Sequence, residues 1–335
     1  MLQGRVSSRL YRFSWAIVLY TVIVIVWGAW VRISGSGAGC GEHWPLCHGA
    51  AIPTGAETKT WIEVSHRYST AIFGLFIVAQ LLFIRALTPK KHPARYWSWM
   101  TLVFTVTEAL IGRFLVKHGL VDESLSLYRL VVMPLHLVNT SLLLCSEVLT
   151  AENIRFNPRS EIAPETTHEL TQLNVQPQQR SSLTIGLVIL LGLLLTSGAI
   201  AALGSHLMPS ESLLEGLRHD LALDAHPAVR LRVLHPILGL LLPMAFWLLL
   251  SSDSKDSEPN RELRTAQKHL VIALFSTVLI GTATLGFLAP VWLKLCHLTA
   301  ANLAVITAVR FAYFRGRVTG NPATQKGSRL STRVV

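Results

Sequence analysis

Charge is scarce in this sequence: Asp, Glu, Lys and Arg make up only 15% of its 335 residues, against 51% hydrophobic residues. That scarcity excludes a soluble globular domain, whose surface at this length needs far more charge. Acidic residues are the scarcer sign, 19 against 30 Lys and Arg, for a formal net charge of +11. Such an excess often marks a nucleic-acid binder. Here, however, the Lys and Arg fall in loops between apolar runs, so they report topology, and no nucleic-acid partner is expected. A small-residue cleavage site is also lacking after the first apolar run, Phe13 to Val31, so that run is expected to stay as a membrane span. The leader before it carries Arg5, Arg9 and Arg12 and is short for an organelle-targeting segment, which favours a bacterial inner (cytoplasmic) membrane.

What is abundant is long apolar sequence, with a mean hydropathy of +0.44. Eight stretches approach or exceed the ~20 residues that a helix needs to cross the hydrocarbon core. They lie near 13–33, 62–85, 97–116, 127–149, 183–204, 230–251, 269–289 and 291–312. The third and fourth are interrupted by Glu108, Arg113 and His136. The fold expected is an all-α polytopic membrane protein embedded in lipid. An even number of spans puts both termini on one side. With the termini cytoplasmic, 20 of the 30 Lys and Arg are cytoplasmic, as the positive-inside rule requires.

The chain also repeats itself. Gly28-Ala29 returns as Gly198-Ala199, Leu110-Ile111-Gly112 as Leu279-Ile280-Gly281, and His66 as His235, at offsets of 169 or 170. His136-Leu137 returns as His297-Leu298, at an offset of 161. This order implies two pseudo-symmetric four-helix bundles, residues 1–150 and 183–315. They are joined by a polar cytoplasmic linker at 151–182 and followed by a cytoplasmic tail at 316–335.

Four of the 13 histidines lie within apolar spans: His66, His136, His235 and His297, all in even-numbered spans and near their outer ends. An ionisable group at membrane depth is costly and points to function. A b-type heme takes imidazoles on opposite faces of its iron from facing helices, and each half offers one pair, His66 with His136 and His235 with His297. No Cys-x-x-Cys-His occurs, which excludes covalent c-type attachment. Zinc fits poorly, because neither half adds a third ligand at that depth. Glycines and alanines in the odd spans would let either a flat macrocycle or a neighbouring helix approach. Arg32, Arg67 and Arg232 lie at the outer mouths, where a guanidinium can clamp a heme propionate or simply snorkel to the interface.

The halves differ at one place. Glu63 stands three residues before His66, where Arg232 stands before His235. A carboxylate beside one heme can assist proton transfer, whereas a basic residue suits a heme that only carries electrons. Cys40 and Cys47, in the first outer loop, are spaced to permit a disulfide, structural or redox-active. Cys145 and Cys296 read as packing residues.

Three segments together resemble the heme A synthase family: Gly28-Ala-Trp-Val-Arg32-Ile-Ser-Gly-Ser-Gly37, the loop from Cys40 through Trp44-Pro-Leu-Cys47-His-Gly49, and Glu63-Val-Ser-His66-Arg67. The resemblance implies an oxidoreductase that converts the C8 methyl group of heme O to a formyl group, with water-derived oxygen, giving heme A for terminal oxidases. It also implies that His66 and His136 bind the substrate heme, and that His235 and His297 keep a heme b cofactor. Glu63 then matches the catalytic carboxylate, and Cys40 and Cys47 the outer cysteine pair. Partners implied are a heme O synthase (a farnesyltransferase) and oxidase assembly factors, and a homo-oligomer is compatible. Two features depart from the family pattern: the Glu42-His43-Trp44 run, and Pro236 where Arg usually follows the third histidine. The competing reading is a diheme b-type electron-transfer protein, which requires neither Glu63 nor the cysteine loop. A transporter with inverted repeats fits poorly, since four-helix halves give parallel repeats.

Overall fold

A computed structural model describes residues 2–121, 126–155, 182–253 and 261–319. Among them there is no β-strand. The helices are α1 (Leu2–Ile33), α2 (Thr58–Leu87), α3 (Pro93–Lys117), α4 (Leu127–Arg155), α5 (Ser182–Leu207), α6 (Leu213–Leu221), α7 (Pro227–Arg230), α8 (Leu234–Asp253), α9 (Arg261–Gly286) and α10 (Val291–Thr319). Eight helical stretches among the described residues are long and apolar enough to cross a membrane. The chain is a multi-pass membrane protein. The sixth stretch, 227–248, runs through α7, a 3-10 turn at Leu231–Val233 and α8. That break explains how Pro236 is tolerated: it stands in the first turn of α8, where its missing N–H has no helical partner to lose.

The polar residues in the third and fourth spans do not interrupt the helices. Glu108 accepts hydrogen bonds from α4, and the Arg113 guanidinium lies 5.6 Å from the centre of the Trp44 ring. α4 continues past residue 150 to Arg155, and α10 continues past 315 to Thr319. The first extension is tied down by packing: Ala151, Glu152, Asn153 and Ile154 are buried, and Glu152 meets Arg310 of α10. The rest of the expected linker, residues 156–181, and of the expected tail, residues 320–335, lie outside the described residues.

α1 packs on α2 and α4, and α3 on both α2 and α4. In the second set α5 packs on α8, α8 on α9 and α9 on α10. The sets join where α4 meets α5 and α10, and α1 meets α10. In lipid, helices gain little from leaving the solvent, so close packing and interhelical polar contacts hold them together. Val18, Val22, Leu144, Val148, Val305 and Ile306 fill the junction. Towards the C-terminal end of α4, the Arg310 Nε donates to Glu152 at 2.7 Å, and Tyr313 donates to the Glu152 carbonyl at 3.3 Å. The Arg310 guanidinium also covers Trp15 and Phe314 at 5.5 and 5.8 Å. Removing one partner of a buried pair strands the other, at a cost of about 3–5 kcal/mol. Glu152→Ala is therefore expected to lower the thermal unfolding midpoint of the detergent-purified protein, and Glu152→Leu with Arg310→Leu to recover most of the loss. An unchanged midpoint in the single variant would remove this pair from the junction.

Candidate functional site

The four histidines stand at similar distances from the starts of their spans. His66 lies eight residues after Thr58, His136 nine after Leu127, His235 eight after Pro227 and His297 six after Val291, the first residues of their spans. At a helical rise of 1.5 Å per residue this is about 9–14 Å into each span, from the same side, since alternate spans enter from one face. All four side chains belong to half-buried residues.

In the second set, His235 and His297 face each other with ring centres 6.1 Å apart and planes at 70°. Two imidazoles bound to opposite faces of one metal at about 2 Å, each ring centre about 1 Å beyond its nitrogen, have centres about 6 Å apart. The rings are held from behind. Ser197 of α5 lies 3.1 Å from Nδ1 of His235. A Cβ added at Gly198 would stand 3.0 Å from Cε1 of His235, and one at Gly281 2.8 Å from Cε1 of His297. Of the two uses left open for these glycines, the structure adds a third: they make room for the ligand imidazole itself. Among the described residues, no group of three or more His, Cys, Asp or Glu is placed to hold a bare metal ion. Paired imidazoles with buried surroundings fit a heme.

In the first set, His66 rests on Gly28, where an added Cβ would stand 2.9 Å from Cε1 and 3.0 Å from Nε2. His136 lies within electrostatic reach of His66. The Nδ1 atoms of both are buried without a hydrogen-bond partner. Glu63 is 3% exposed, which rules out a merely solvated helix-start residue. It accepts from the Cys40 amide at 2.8 Å and from the Arg67 Nε at 3.0 Å, and also pairs with the second Arg67 nitrogen. Glu63, His66 and Arg67 stand at i, i+3 and i+4, so one face of α2 presents all three. Cys40 and Cys47 form a disulfide, and both are buried against Val64. Arg67 donates to the carbonyls of His43 and Leu46 at 2.7 and 3.0 Å. The carboxylate and its arginine thus bolt the disulfide loop to the helix turn that carries His66.

The arginines divide. Arg67 has Glu63, and Arg232 has Asp220, a buried carboxylate from α6, together with the Met208 carbonyl at 2.8 Å. Both are ion-paired rather than snorkelled. Arg32 pairs with no carboxylate among the described residues, and its charged neighbours are Arg129 and Lys294. Arg32 of α1 and Lys294 of α10 thus bring two like charges close together.

The family described as Cytochrome oxidase assembly protein (COX15-CtaA) matches residues 11–309. The chain belongs to this family. A protein named protoheme IX farnesyltransferase from Thermus thermophilus is 35% identical over 303 residues, 88% of this chain and 46% of that protein. Heme A synthases from Exiguobacterium sibiricum and Shouchella clausii are 33% identical over 106 residues and 30% identical over 149. These stretches are 32% and 44% of this chain, and 36% and 46% of those proteins. The chain thus spans less than half the length of the relatives it matches.

For this member of the heme A synthase family, three residues near the histidines escaped the sequence reading as site residues: Ser197, Asp220 and Glu108. Asp220 is the informative one. The halves are not divided into an acidic and a basic site, because each has a carboxylate–guanidinium pair beside its first histidine, supplied in opposite order. A signal for α6 exists in Ser212-Leu-Leu-Glu215, a helix-start pattern in which the Ser212 hydroxyl accepts from the Glu215 amide at 3.2 Å. Nothing local to it says that the helix folds back on Arg232.

Proposed function

We propose that this protein is a heme A synthase: an integral-membrane oxidoreductase that converts the C8 methyl group of heme O to a formyl group. In this reading the N-terminal four-helix unit, residues 1–150, takes heme O between His66 and His136. The C-terminal unit, residues 183–315, keeps heme b between His235 and His297 as an electron-accepting group. Arg32, with Lys294, supplies positive charge for propionates, while Arg67 and Arg232 brace the outer rims. Both termini lie on the cytoplasmic side of the inner membrane, on the argument of Lys and Arg placement.

The overall conversion takes in one oxygen from water and releases four protons and, to an external electron acceptor, four electrons, in two steps through the hydroxymethyl compound. The chain's own part is to hold the substrate near Glu63 and to take up protons there. Glu63 suits that work because the Cys40 amide and Arg67 fix its position. The single observation that carries the reading is this buried carboxylate, fixed one turn before His66 on its own helix, where the other half places Arg232 before His235. A diheme electron carrier has no need of it, nor of the disulfide loop bolted to it.

Heme O has to be supplied by a farnesyl-transferring enzyme. The relative named protoheme IX farnesyltransferase, of which this chain matches 46%, supports such an enzyme as a partner. The test is expression in a host that makes heme O and no heme A, followed by acid-acetone extraction and chromatography of membrane hemes. Heme A is expected only where the protein is present. Heme O alone, beside an intact b-type spectrum in the purified protein, would leave the electron carrier as the better account.

A further inference from the structure

We propose that Glu108 is the positioning residue of the substrate-side iron: its carboxylate orients His136 and makes it a more strongly electron-donating ligand than any histidine of the other half. The proposal rests on the reading of His136 as a heme ligand given above. The starting observation is where the repeat breaks. At the offset of 169 that relates Gly112 to Gly281, Glu108 corresponds to Thr277. His297 lies against Gly281, but nothing comes within 4 Å of a Cβ placed at Gly112. His136 turns instead towards the residue one helical turn earlier, with its Nδ1 3.4 Å from Oε1 of Glu108.

Glu108 is itself fixed. Its Oε2 accepts from Asn139 Nδ2 at 2.6 Å, and its Oε1 accepts from the Thr140 hydroxyl. Asn139 donates to the Phe104 carbonyl at 3.0 Å and accepts from Thr107 at 2.7 Å. His136, Asn139 and Thr140 stand at i, i+3 and i+4 of α4, so one face of that helix carries both the ligand and the two groups that aim the carboxylate behind it. The 3.4 Å approach is longer than a formed hydrogen bond, and a small ring movement closes it. The Nδ1 atom has no other partner. A carboxylate on Nδ1–H fixes the tautomer that leaves Nε2 for the iron, and raises the basicity of that nitrogen. Among the described residues the other half offers a neutral partner in place of the carboxylate: the Thr277 backbone carbonyl accepts from His297. Thr277 donates to its own helix at Ala273, Asn302 donates to Leu298, and His235 meets only the neutral Ser197. A more basic ligand stabilises the oxidised iron, so the heme between His66 and His136 should have the lower reduction potential of the two.

The test is a spectroscopic redox titration of the full-length protein, purified with its bound hemes from a heme O-producing host, as wild type, Glu108→Gln and Glu108→Asp. The glutamine keeps the shape and removes the charge. One component is expected to move to a more positive potential in Glu108→Gln while the other stays, with Glu108→Asp in between. Heme A output should fall about 10- to 100-fold, the range for groups that orient metal ligands. Two unmoved potentials at normal heme content would overturn the proposal. If Glu108→Gln instead loses the heme of one half, Glu108→Asp decides: recovery of that heme supports a carboxylate role, and equal loss overturns it in favour of packing. The potentials are read whether or not heme A forms, so failure of the proposed reaction is told apart by the wild type, which would then show two potentials and no product.

Discussion

Purified His297→Ala protein is expected to lose the b-type absorbance of one heme while keeping the other. A b-type heme has no covalent tie to the chain, so two axial bonds and the surrounding fit are all that retain it. The His235 and His297 ring centres stand 6.1 Å apart, the spacing of two imidazoles on one iron. Removing either ring takes away one bond and leaves a cavity against Gly281 or Gly198. Free imidazole in the buffer should restore part of the spectrum to His297→Ala, which an unfolded protein would not allow. Gly281→Val should give the same loss with every histidine in place, because its first side-chain carbon would stand 2.8 Å from the His297 ring. Heme content equal to wild type in both variants would mean that these residues hold no cofactor.

Glu63→Gln is expected to retain both hemes, to lower heme A output by about 100-fold, within the usual range for a positioned acid–base group, and to accumulate heme O or its hydroxymethyl derivative. Glu63 has two tasks, and two variants separate them. The glutamine oxygen can still accept from the Cys40 amide but no longer balances Arg67. Alanine abandons both and should also loosen the disulfide loop, raising the rate at which added reductant opens Cys40–Cys47. If chemistry is the main task, the two variants make equally little heme A and differ only in the loop. If anchoring is the main task, Glu63→Gln stays active. Normal product from Glu63→Ala would remove the residue from the reaction altogether.

Much of this architecture was legible in the sequence because lipid enforces it. Apolar runs of span length must be helices, and loop charge orders them, so the eight spans follow from hydropathy alone. The close approach of the His235 and His297 rings is legible for a related reason: imidazole within an apolar span is rare enough to single out, and the pair recurs. What sequence did not disclose is how outer segments fold back onto the membrane face. Arg67 could be read as a propionate clamp or a snorkelling residue. In the structure it spans from Glu63 to the carbonyls of a loop more than twenty residues earlier. Asp220 could not be assigned to Arg232, since that pairing depends on the return path of α6. Glu108 is a different kind of omission. It interrupts the third span, and an intramembrane carboxylate is a functional candidate by the same reasoning that selects the histidines. Its neighbours on α4, at i+3 and i+4 from His136, were the available clue.

All of these expectations presuppose that each half brings two imidazoles, from different helices, onto one iron. Low-temperature EPR of the oxidised, purified protein, with heme counted per chain, tests that most directly. Two hemes per chain with low-spin bis-imidazole signals are predicted, one signal disappearing in His66→Ala or His136→Ala and the other in His235→Ala or His297→Ala. A heme-free protein, or signals indifferent to all four substitutions, would contradict it.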